Sequence, residues 1–116
     1  MKTMHTADAM PPMPMPSDKA LQAATRLAID EDRPIMMDYW KPSLPSTLFP
    51  GRMPDDECAR IGVKEDKTKM LFKNPTEYTS NISRICKADN TYIIMTENSI
   101  YLVSAEITAH KLTGSH

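Results

Sequence analysis

With three glycines in 116 residues, Gly51, Gly62 and Gly114, the chain lacks the material for a glycine-rich phosphate cradle. Its two cysteines, Cys58 and Cys86, are too few for a disulfide framework, and each reads as a small buried hydrophobe. Charge of one sign is lacking too, since fourteen basic and fifteen acidic residues leave a net charge of −1. Nucleic-acid affinity rests on clustered Lys and Arg, so the totals argue against nucleic acid as a partner. No apolar run reaches the ~18 residues that a membrane span needs, which argues against a membrane partner. No apolar core follows Lys2 as it would in a signal peptide. The expectation is a soluble cytoplasmic protein that is not secreted.

Catalytic motifs are missing as well. The chain contains no HExxH, no GxSxG and no phosphate loop, and His5, His110 and His116 do not stand at metal-finger spacing from either cysteine. The acidic groups Asp55-Asp56 and Asp30-Glu31-Asp32 fall in a loop and at an element end, where solvated charge is the norm. No catalytic residue, metal site or cofactor is assigned, and the chain is expected not to be an enzyme.

What is present begins with an arm. Residues 1–16, MKTMHTADAMPPMPMP, hold five of the ten methionines and four of the ten prolines. Proline removes backbone donors and favours polyproline II, so this segment is expected to be extended and disordered until a partner holds it. Thioether sulfur beside His5 is a soft donor set that could hold Cu(I). Rigid prolines and the missing export signal weigh against copper. The preferred role is docking on a protein partner or a second copy through Met10, Met13 and Met15, because methionine adapts to uneven apolar surfaces.

Ser17 then reads as an N-cap with Asp18 in the first turn, and Ala20, Leu21, Ala24, Leu27 and Ala28 recur at helical spacing. The helix should end near Asp32, because Arg33 precedes Pro34. Ile35, Met37 and Tyr39 alternate with Met36, Asp38 and Trp40, which predicts a strand. The loop at 41–57 is long, carries four prolines, and is anchored by Leu44, Leu48, Phe49 and Met53. Strand-like runs follow at 58–64, 68–73, 82–87, 91–96 and 100–107, separated by short polar connections. The runs YIIM and IYLV are apolar on both faces, as strands covered on two sides would be. The predicted fold class is α+β, mostly β. An N-terminal helix packs on an antiparallel meander of five or six strands, either open or curled into a small barrel. The expected domain spans 17–108, with a flexible tail at 109–116.

Aromatic and basic residues around the loop are the binding candidates. In one reading Trp40 and Phe49 cap the open end of a barrel, as large aromatics in small cores do. In the other, Tyr39, Trp40, Phe49, Arg52 and Arg60 form a recognition edge, since Arg and Trp dominate binding interfaces. A small-ligand or nucleotide site would then lie under the 41–57 loop, with Tyr39 or Trp40 stacking on a ring and Arg52 or Arg60 meeting a phosphate.

Two stretches, DRPIMMDYW at 32–40 and EYTSNISRICKADNTYIIMTENSIYLVSAEI at 77–107, resemble small uncharacterised proteins of large DNA viruses. The resemblance covers about forty residues, includes no catalytic motif, and implies a viral origin without an activity for any residue. The functional expectation is a non-enzymatic binding or assembly module, a viral structural or accessory protein. It would contact a protein partner or a second copy through its arm and a sheet edge.

Overall fold

The computed structural model describes residues 14–45 and 57–112. Helix α1 (Asp18–Glu31) starts as its cap residue dictates: Ser17 is extended, and its Oγ accepts the backbone N–H of Ala20. It stops at Asp32, which takes the left-handed conformation with φ 55° and returns its N–H to Ala28 O. Ala20 and Ala24 form its buried stripe, where the absence of long side chains lets the helix lie close on a sheet.

Strand β1 (Ile35–Met36) and a single turn of helix, α2 (Trp40–Ser43), follow. The strand expected over 35–40 is therefore cut to two residues, because the chain turns at Asp38-Tyr39 and coils from Trp40. Then come β2 (Arg60–Val63), β3 (Lys69–Asn74), β4 (Glu77–Tyr78), β5 (Ile82–Ala88), β6 (Thr91–Thr96), β7 (Ile100–Ser104) and β8 (Ala109–Lys111).

These strands make two four-stranded sheets, sheet 1 in the order β1-β7-β6-β5 and sheet 2 in the order β4-β3-β2-β8. Each sheet contains a three-strand antiparallel meander, β5-β6-β7 or β2-β3-β4, extended by one remote parallel strand. Ile35 of β1 stands opposite Ile100 of β7, and Ala109 of β8 stands opposite Ile61 of β2. The fold is α+β and mostly β, but among the described residues no barrel closes: the sheets remain separate, and each ends in edge strands. Residues 109–111, expected in a tail, are instead the edge strand of sheet 2, and Leu112 N–H continues the pairing to Val63 O at 2.8 Å.

The molecule is built in three layers, helix, sheet 1 and sheet 2, around two cores. Between helix and sheet 1 lie Ala24, Trp40 and Leu44 against Ile93, Met95, Ile100 and Leu102. Between the sheets lie Tyr39, Ala59, Ile61 and Leu71 against Ile94 and Val103. Strands β6 and β7 thus send alternate residues into different cores, which is why YIIM and IYLV are apolar at every position. Ile93, Ile94, Ile100, Leu102 and Val103 are almost fully buried. Each contributes about 2 kcal/mol relative to an exposed side chain, against the entropy of ordering the chain.

Buried polar groups are satisfied where the layers join. Ser43 Oγ donates to Trp40 O at 2.6 Å and accepts Ser104 N–H at 2.8 Å, fastening α2 to the end of β7. Thr96 Oγ1 accepts the N–H groups of Asn98 and Ser99 and donates to Ser99 O, closing the β6–β7 turn. The β5–β6 turn places Asp89 at φ 54°, the positive region that tight hairpin turns demand.

Candidate functional site

Tyr39 and Trp40 are neighbours in sequence but face different cores, because α2 begins between them. Trp40, 8% exposed, packs on the helix side of sheet 1, and its Nε1–H donates to Pro14 O at 2.8 Å. Pro16 is buried beside it in sequence, so the last residues of the expected arm are fixed onto the domain. Met15, between them, is 72% exposed. The cap on a barrel end predicted for Trp40 is replaced by this position between helix and sheet.

Tyr39, 5% exposed, lies between the sheets. The edge of one ring meets the face of the other in the Tyr39–Tyr101 pair, with centroids 5.4 Å apart and planes at 82°. Lys73 Nζ stands 4.6 Å from the Tyr39 ring centroid, and the hydroxyl donates to Glu77 O at 3.5 Å. Tyr39 and Trp40, the two alternatives for stacking on a ligand ring, are therefore both packed against the protein's own groups. Burial, helped by Asp38, Tyr101 and Glu77, pushes Tyr39 up to about 12. Burial and Asp38 raise Tyr101 as well, against a Ser99 hydrogen bond that lowers it. These shifts make the phenols weaker acids, the opposite of what a tyrosine base or nucleophile at neutral pH needs.

Arg60 sits on β2 with its side chain on the face opposite Ile61, away from the inter-sheet core. Its guanidinium lies 4.9 Å from the Phe72 ring centroid, and Nη2 donates to Lys73 O at 2.7 Å. The register puts Arg60, Phe72 and Tyr78 in one cross-strand row, with Tyr78 60% exposed. Of the residues predicted from sequence, Tyr39 and Arg60 both touch Lys73, Tyr39 at its ammonium and Arg60 at its backbone carbonyl, but their side chains lie on opposite faces of sheet 2, and Trp40 lies in the other core. Phe49, Arg52, Met10 and Met13 lie outside the described residues.

A feature that the sequence reading did not single out is the margin of sheet 1. Strand β5 is seven residues long and, among the described residues, pairs with β6 alone. A bulge between Ile82 and Arg84 disturbs its start, and Arg84–Ala88 then run in regular register against Met95–Thr91. Arg84 and Cys86, opposite Met95 and Ile93, face the helix; Ile85 and Lys87, opposite Ile94 and Tyr92, face sheet 2. Counted from the closing pair Ala88–Thr91, the alternation of bonded pairs turns the N–H and C=O of Ile85 and Lys87 away from β6. Ile85 is 37% exposed, and the Arg84 and Lys87 side chains reach solvent. Arg84 Nη2 lies 3.6 Å from Glu31 Oε2, an ion pair in which both side chains are widely exposed. The sequence signal for this edge is a charge on each face of one strand, since a strand between two neighbours in a covered sheet would have to bury one of them.

Among the described residues, no group of three or more His, Cys, Asp and Glu could hold a metal ion. No described helix is long and apolar enough to cross a membrane. In comparisons with known proteins, no family model, curated protein or solved structure matches this chain.

Proposed function

We propose that the chain is a non-enzymatic binding or assembly module that holds a protein partner along the open edge of sheet 1, with its Met/Pro arm as a second contact. The observation that carries this reading is β5, a long strand with outward backbone groups and a partly exposed isoleucine on the margin of a sheet covered on both faces. An unpaired edge is a template for an added strand: main-chain hydrogen bonds supply affinity and alternate side chains supply selectivity. The arm suits the same role, since its root is held at Trp40 while Met15 stands in solvent. The resemblance to proteins of large DNA viruses makes a viral structural or accessory protein the natural setting.

Native mass spectrometry of the gently purified full-length protein tests this, beside Ile85→Pro and a deletion of residues 1–13. Proline at 85 removes an outward donor without touching a ladder bond, so the fold should survive. A complex or multimer that disappears in Ile85→Pro, and weakens without the arm, is the expected result. A complex that persists unchanged in a folded Ile85→Pro variant contradicts the edge reading.

A further inference from the structure

We infer that the occupant of the β5 edge is an extended segment with acidic side chains on both of its faces, supplied by a different protein rather than by a second copy of this chain. The inference rests on the edge reading above and specifies its partner. Strand β5 has the sequence ISRICKA, with two basic residues and no acidic one. Arg84 faces the helix side and Lys87 faces the sheet 2 side, so the charges flank both surfaces of any strand added there. An added strand places its side chains directly opposite those of β5, where opposite charges stabilise and like charges destabilise.

Self-pairing brings the Arg84 and Lys87 side chains of both copies to one ribbon with no acid in either strand. An acidic segment instead meets a complementary charge on each face, while Ile85 between them accepts an apolar residue. Glu31, 3.6 Å from Arg84, does not satisfy the edge, since exposed pairs of this kind hold weakly and exchange partners readily. Lys87 lies on the opposite face of the strand from Arg84.

Two blocked peptides serve as probes on the full-length protein: one of alternating valine and glutamate flanked by threonine, and its lysine counterpart. The readout is amide hydrogen exchange at Ile85 and Lys87, titrated to millimolar peptide. Slowing by the glutamate peptide, at least tenfold weaker slowing by the lysine peptide, and reversal of that order in the Arg84→Glu/Lys87→Glu variant are expected. Lys87→Glu alone, which leaves the Arg84–Glu31 contact in place, should move the preference part of the way. Equal slowing by both peptides overturns the acidic-partner inference and leaves the edge reading standing. No slowing by either peptide overturns both.

Discussion

Ser17 Oγ donates to Asp89 Oδ2 at 2.5 Å and accepts Ala20 N–H at 3.1 Å, so one hydroxyl joins the start of α1 to the β5–β6 turn. The two residues are 72 positions apart, and the contact sets the helix across sheet 1 at the end where the arm enters. Ser17→Ala removes an N-cap and a tertiary contact together, at a cost of about 1–2 kcal/mol. A double-mutant cycle with Asp89→Gly, which removes the carboxylate acceptor and suits the positive φ of the turn, should give a coupling of about 0.5–1 kcal/mol in urea denaturation. A zero coupling would mean that Ser17 acts only as a local cap.

At the other end of α1, Asp32 is a non-glycine residue held at φ 55° and ψ 49°. Left-handed backbone crowds any Cβ, while glycine adopts it freely at some entropic cost in the unfolded chain. Asp32→Gly should therefore raise stability by about 0.5–1 kcal/mol. Thermal denaturation of the two proteins checks the sign.

Ser43 holds the layers together from inside. Ser43→Ala leaves the Ser104 N–H without its acceptor in a site that is almost fully buried. The expected loss is about 1–3 kcal/mol, the desolvation cost of one orphaned donor. Ser43→Thr, which restores a hydroxyl, should recover part of it.

The elements that could be read from sequence are those whose determinants are local. Ser17 and Asp18 announce the helix start and Arg33-Pro34 its end, and the structure places both within a residue. The double-sided apolar runs YIIM and IYLV, at 92–95 and 100–103, announce buried strands at the centre of sheet 1, although the second strand ends at Ser104 rather than at 107. The parallel pairings β1–β7 and β2–β8 could not be read, because they join segments dozens of residues apart and rest on two or three register positions each. The same holds for Trp40: a Trp at the mouth of a proline-rich loop looks available, and only the tertiary contact with Pro14 shows its indole N–H already engaged. In the candidate site, Arg60 stands out in the sequence by its charge. Arg84 and Lys87 do not, because charges inside a strand-like run signal an edge only when the strand's faces are assigned.

Tyr39 links stability to alkaline pH. Its folded-state pKa of about 12 lies above the ordinary value of 10.0, so the neutral form is favoured by folding. That contribution is fully present below about pH 10 and is lost as pH rises towards 12. Stability measured in this window should fall more steeply for the native chain than for Tyr39→Phe, which keeps the ring against Tyr101. In a base titration, Tyr39→Phe should remove the phenolate absorbance that develops as pH approaches 12.

Whether β5 is an open edge is decided most directly by residue-resolved amide hydrogen exchange on the isolated full-length protein. Cys86 and Arg84 turn their N–H groups to β6, and Ile85 and Lys87 turn theirs outward. Alternating protection, slow at Arg84 and Cys86 and fast at Ile85 and Lys87, is the result expected of a strand free to accept a partner. Uniformly slow exchange along all four residues would contradict it, because it would mean that the edge is already covered by the chain's own residues.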